Sequence, residues 1–150
     1  MRISLEFKNY KDIFQRLIED EEEAIDIYNA LIGKCQKHNL RRIFFQFVQE
    51  ETNHILGLKD LRKHYKTKKN FSSPIRVQVN KNFGELSNLE GLGYRKVLEF
   101  ARDEEGKTMN LYQDIASQVK DQDVERLFLQ IAEEERIHYQ RTDQMLKAVD

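Results

Sequence analysis

The stretch FFQFVQEETNHILGLKDL, residues 44–61, has the apolar spacing of an amphipathic helix, yet it sets a glutamate and a histidine on the apolar face. At alternating steps of three and four, Phe44, Phe47, Glu51, His54, Leu58, Leu61 and Tyr65 form one seam, apolar at both ends and ionisable in the middle. Three other seams have the same form: Phe14, Leu17, Glu21, Ala24, Tyr28, Leu31, Cys35; then Leu98, Ala101, Glu105, Thr108, Tyr112, Ile115, Val119; then Phe128, Ile131, Glu135, His138, Thr142, Met145, Val149. A carboxylate turned into an apolar interior costs several kcal/mol unless it is neutralised, so four such breaks call for counter-charge at the centre. Two divalent cations balance four carboxylates. One Glu from each of two helices and a Glu-x-x-His from each of the other two is the di-metal arrangement of helix bundles.

The pattern repeats without a gap. Glu21 and Glu105, Tyr28 and Tyr112, Glu51 and Glu135, and His54 and His138 are each 84 residues apart, and Arg42/Arg126, Gln46/Gln130 and Glu50/Glu134 keep that offset. One Glu-x-x-His is a weak signal, but two in register with matching Glu and Tyr positions are a strong one. The expected organisation is one all-α domain over 1–150, with a hairpin at 10–65, a crossover at 66–93 and a second hairpin at 94–149.

With 150 residues, 34% charged, one proline and no tryptophan, the chain suits long solvated helices around one core. Its net charge of −1 gives no electrostatic case for nucleic acid, and the local basic run Lys63–Lys69 reads as a solvated helix end. No apolar run could span a membrane, and Met1–Phe7 lacks the core of a signal peptide, so a cytoplasmic protein with no membrane partner is expected. Cys35, the one cysteine, lies on a seam and reads as a small buried hydrophobe.

Asn9 and Asp12 offer caps for the first helix, and Asn39 and Asp123, again 84 apart, suit the starts of the second and fourth. Helical periodicity stops between Thr67 and Gly93, where Pro74, Gly84, Gly91 and Gly93 fall. Within that span Ile75, Val77 and Val79 alternate with polar residues, as Ile3, Leu5 and Phe7 do, and the two runs could pair as a small ribbon. Ser87 and Glu90 resemble a capping box for the third helix or a turn feeding it.

Glu and His three residues apart share a helix face, about 60° apart with a rise of about 4.5 Å, so both can reach one metal or bracket two. Carboxylates with imidazoles and open positions favour iron or manganese. The expected assignment has Glu51 and Glu135 bridging, Glu21 and His54 completing one metal, and Glu105 and His138 the other. Tyr28 and Tyr112, two turns beyond Glu21 and Glu105, are too far to ligate the same ion. They are candidate catalytic groups, buried phenols that can donate to a ligating carboxylate. His38 and His64 lack an acid three residues earlier and are set aside. Glu22, Glu23, Glu50, Glu104, Glu133 and Glu134 lie off the seams, mostly solvated, with some available to support ligands. The alternative for the six seam residues is a buried ion network without metal, which would be short of positive charge.

Through Glu21-x-x-Ala24-x-x-x-Tyr28, Glu51-x-x-His54, Glu105 with Tyr112, and Glu135-x-x-His138, residues 10–149 resemble the rubrerythrin branch of the ferritin-like superfamily. The resemblance implies a ferritin-like four-helix bundle whose two iron ions, with manganese or a mixed pair as alternatives, react with hydrogen peroxide or dioxygen, often in an oligomer. Rubrerythrins proper also carry a four-cysteine rubredoxin-like site, which a chain with only Cys35 cannot build, so electrons are expected from an external, rubredoxin-like donor. They have a further glutamate three residues after the one matching Glu105, where this chain has Thr108. No fifth helix is expected after the fourth, and a homodimer is expected in preference to a cage. The expected function is peroxide reduction. The alternatives are a ferroxidase or iron-binding protein that stores or delivers iron, and a partner-binding bundle with a vestigial site.

Overall fold

The computed structural model describes residues 2–65, 69–80 and 86–149, with the side chains of all but 86–88. Gly84, the Ser87 side chain and Lys66, Thr67 and Lys68 therefore lie outside the described residues. Four long helices, α1 (Tyr10–Lys34), α2 (His38–Arg62), α3 (Tyr94–Ala116) and α4 (Gln122–Lys147), form the bundle, with two short strands, β1 (Arg2–Phe7) and β2 (Ile75–Asn80). Short helical turns at Lys63–Tyr65 and Leu86–Gly91 flank the crossover. Among the described residues no helix is long and apolar enough to cross a membrane.

Asn9 caps α1 by accepting the Asp12 amide at 2.9 Å. The expected caps of α2 and α4 fall elsewhere. The residue before α2 is Lys37, with no side-chain cap, and Asn39 lies inside the helix. Asp121, rather than Asp123, caps α4, accepting the amides of Asp123 and Val124 at 2.9 and 3.2 Å. Asp123 instead supplies a negative charge to the first turn of α4, where the macrodipole favours it. Asp121 also accepts the Tyr65 hydroxyl, which ties the end of the first hairpin to the start of α4.

Contacts fix the helix directions. Tyr28 meets Glu105 while Tyr112 meets Glu21, so α1 and α3 run antiparallel. His54 meets Glu134 while His138 meets Glu50, so α2 and α4 do as well. Each hairpin is antiparallel within itself, which leaves α2 and α3 diagonal and parallel. The crossover must therefore return along the bundle. It does so through β2, whose Arg76 carbonyl accepts from Gln118 near the end of α3 at 2.9 Å, and then Glu90, whose carbonyl accepts from Lys34 at the end of α1 at 3.1 Å.

The ribbon expected from alternation forms, antiparallel and in register, with Ile3 opposite Val79, Leu5 opposite Val77 and Phe7 opposite Ile75. Ile75, Val77 and Val79 are buried in one cluster with Leu111 and with Ile115 and Val119 of the third seam. Ribbon and helix ends thus make one apolar cluster, with Phe14, Leu17, Leu58 and Phe128. A second cluster at the other end holds Leu31, Phe44, Phe47, Leu98 and Ala101. The ionisable centre separates the two.

Candidate metal centre

Glu21 on α1, Glu51 and His54 on α2, Glu105 on α3, and Glu135 and His138 on α4 are all buried and converge midway along the bundle. Potential ligand atoms of Glu21, Glu51, His54 and Glu135 lie within 4.8 Å of one another, and so do those of Glu51, Glu105, Glu135 and His138. Glu51 and Glu135 are common to both groups. His54 Nδ1 is 3.3 Å from Glu21, 3.8 Å from Glu51 and 2.9 Å from Glu135. His138 Nδ1 is 2.8 Å from Glu51 and 3.6 Å from Glu105.

The two tyrosines reach across the bundle. Tyr28 Oη donates to Glu105 Oε1 at 2.5 Å, and Tyr112 Oη donates to Glu21 Oε1 at 2.8 Å, each serving the other hairpin's carboxylate. Burial, followed by the nearby carboxylates, pushes both phenols well above their usual pKa, so they remain protonated donors.

Sequence reasoning left two carboxylates undecided. Glu50 Oε2 bonds His138 Nε2 at 2.6 Å, and its other oxygen accepts from Gln46 at 2.9 Å. Glu134 Oε2 lies 3.3 Å from His54 Nε2. Both sit off the seams, as solvated residues do, and only their shared 84-residue offset singled them out. Each Nδ1 faces the centre; Glu50 holds the His138 ring by its far nitrogen, as outer carboxylates hold metal-binding histidines, whereas Glu134 approaches the far nitrogen of His54 without a hydrogen bond to it. The bond from His138 lowers the Glu50 pKa.

The inner donor set fits divalent metal. Both Glu51 oxygens, Glu105 Oε2, Glu135 Oε1 and His138 Nδ1 are buried without a hydrogen-bond partner, although some approach one another closely. Groups that crowd together without hydrogen-bond alignment are aimed at common points instead of at each other. Protons offer partial relief. Burial, then the charges of neighbouring glutamates, pushes Glu51 and Glu135 well above the usual carboxylate range. Burial alone would lower His138, but its contacts with Glu105 and Glu50 raise it to about 10, and contacts with Glu135, Glu21 and Glu51 raise His54 despite burial. These protons stand in for metal at the cluster, and two divalent cations would balance the four carboxylates once the protons leave. Hard oxygen donors with two imidazoles suit iron or manganese.

Thr108, where the resemblance would place a further glutamate, instead lines a cavity of about 230 Å³ in the α1–α3 groove with Asp20, Glu23, Glu104 and Lys107. Burial, opposed by Arg16 and aided by Glu23 and Glu104, raises Asp20 to about 6.

Four antiparallel helices enclosing paired carboxylates and histidines define a ferritin-like bundle built around a di-metal carboxylate–histidine cluster. The chain belongs to the rubrerythrin family, whose model matches residues 12–146. Its fold is similar to that of a hypothetical protein from Pyrococcus furiosus, with a TM-score of 0.70 at 17% identity over 92% of this chain and 88% of that one. It is also similar to a structure from Bacillus anthracis str. Ames described as ferritin-like, diiron-carboxylate proteins, with a TM-score of 0.64 at 22% identity over 91% and 96% of the two chains. No curated protein matches the sequence.

Proposed function

We propose that the protein is a di-iron redox protein that reduces hydrogen peroxide with electrons delivered from outside the bundle. The observation that carries this reading is the convergence of four buried carboxylates and two histidines, among which both Glu51 oxygens, Glu105 Oε2, Glu135 Oε1 and His138 Nδ1 lack hydrogen-bond partners. In this reading Glu21, Glu51, His54 and Glu135 would hold one ion, and Glu51, Glu105, Glu135 and His138 would hold the other. Two iron(II) ions bound there would supply one electron each to the peroxide O–O bond, and two protons complete its conversion to two waters. The chain's own contribution is placement. Glu50 orients the His138 imidazole, Glu134 places a charge beside that of His54, and Tyr28 and Tyr112 each hold a proton on Oη against a carboxylate as the charge at the centre changes. The two apolar clusters exclude bulk water from both ends, which strengthens every electrostatic contact between them.

A ferroxidase or iron-delivering role would use the same ligands, and threonine at 108 in place of the further glutamate favours it. Stopped-flow oxidation of anaerobically iron-loaded protein separates the two. Peroxide reduction predicts much faster oxidation by hydrogen peroxide than by dioxygen, with turnover restored by a reductant. Preference for dioxygen, with uptake of iron far beyond two ions per chain, would establish the storage role instead.

A further inference from the structure

The two halves of the centre are unequally covered, and the difference traces to one pair of positions. Gly57 and Arg141 are 84 residues apart, each three residues beyond a histidine of the centre. Both face the helix opposite. A Cβ on Gly57 would meet Leu127 of α4 at 3.6 Å, and the Arg141 guanidinium lies 5.4 Å from the ring centre of Phe47 on α2. A helical side chain covers the turn N-terminal to its own Cα, so Arg141 lies over the turn that carries His138. Phe47 completes that cover, its ring centre 4.2 Å from that of His138, whereas the related position 131 is isoleucine. Glycine at 57 sets no side chain of its own over the turn that carries His54, where only Leu127 of α4 comes near. Exposure follows the same order: the His138 side chain is 0% exposed and its partner Glu50 27%, against 4% for His54 and 38% for Glu134.

Packing does not demand this glycine. Its backbone is helical, the added Cβ would make an ordinary contact, and glycine within a helix costs about 1 kcal/mol relative to alanine. We infer that Gly57 keeps open an approach to the centre on the His54 side, by which small polar species, hydrated metal ions and peroxide among them, reach the Glu21–His54 half first. Arg141 and Phe47 shield the Glu105–His138 half. The inference rests on the di-metal reading above and deepens it by assigning the two halves different accessibility.

Cobalt(II) is the probe, because its visible absorption reports binding without redox chemistry. Mixed with the metal-free full chain in stopped flow, it should fill the two halves in two phases. Gly57→Gln, long and neutral, and Gly57→Arg, which copies position 141, should slow the fast phase by about tenfold, within the spread of association rates among variants of one site. Both should still bind two ions at equilibrium. Arg141→Gly should speed the slow phase, and Leu56→Gln, one position away on an exposed flank, should change neither. Circular dichroism identifies any variant that fails to fold, and Arg141→Gly tests the inference from the opposite side. A single phase in the parent, or parental rates in folded Gly57→Gln and Arg141→Gly, would overturn it. A parent that bound no cobalt at all would instead overturn the di-metal reading beneath it.

Discussion

The hairpin of α1 and α2 and that of α3 and α4 carry the same acidic, phenolic and imidazole groups at a constant offset, yet little else about them matches. The contacts that link them are reciprocal: Tyr28 bonds Glu105 as Tyr112 bonds Glu21, and Glu50 bonds His138 where Glu134 only approaches His54. Away from the centre the repeat relaxes. Asp20 pairs with Arg16 four residues before it, whereas its counterpart Glu104, equally half-buried, pairs with Lys107 three residues after it. Lys37 precedes α2 without a side-chain cap, and Asp121 caps α4. Groups that must neutralise one another in a dry interior have no freedom to diverge, because an unmatched buried charge costs more than a lost surface pair.

The largest test of this symmetry is metal itself. Two sites, each at a hundredfold excess over its dissociation constant, should add about 5 kcal/mol of stability, or about 10–20 °C in Tm for a chain of this size. Elemental analysis should give two ions per chain. Uptake should release protons, because Glu51, Glu135 and both histidines have raised pKa values and must lose their protons to bind metal. A melting curve unmoved by metal would place any binding outside the centre.

Glu51→Ala and Glu135→Ala come next. Each should abolish most of the metal-dependent rise in Tm while leaving the metal-free protein as stable as the parent or more so, because a buried carboxylate has gone. Calorimetry with and without metal checks both. If the two variants differed widely, the equivalence of the hairpins at the centre would fail.

Tyr28→Phe and Tyr112→Phe probe the reciprocal bonds. Each removes the donor from a buried carboxylate oxygen and should cost about 1–3 kcal/mol in the metal-free protein, by denaturant unfolding. Similar losses would sharpen the comparison, and a loss in one variant alone would break it.

The smallest effect concerns Asp20, where the hairpins differ. Its pKa of about 6 lies above the unfolded value of 3.8, so the folded chain holds this proton more tightly than the unfolded one. The penalty is absent below pH 3.8, where both states are protonated, and is complete above pH 6, where both are ionised. Asp20→Asn should therefore stabilise the protein at pH 7 by about 1–2 kcal/mol and change little at pH 4. Equal gains at both values would show that burial of the charge is not the cause.

Much of this was legible in sequence because a seam is a strong filter. Glutamate where leucine belongs is conspicuous, and the six seam residues named from spacing meet in the bundle. The ribbon was legible as two alternating runs, but their register was not, because it depends on packing of β2 against α3. Glu50 and Glu134 escaped because position on a helix reports direction, not reach, and a residue about 100° off the seam can still bond a histidine on the facing helix. The helix starts after 37 and 121 escaped because Asn39 and Asp123 are chemically acceptable starts, and only the path of the turn decides which residue comes first. The contrast of Gly57 with Arg141 lies in the sequence too, but it has meaning only once their helices are known to face each other.

The reciprocity of the cross-bundle bonds has a consequence for ancestry. Every group one hairpin offers, a phenol to a carboxylate or a carboxylate to an imidazole, is one that the same hairpin needs. A hairpin of this design is therefore complementary to a copy of itself, and a paired set of identical hairpins would assemble the same four-carboxylate interior. Fusing two copies into one chain leaves that interior unaltered and frees every position outside it to specialise, as positions 20, 57, 104 and 141 have done.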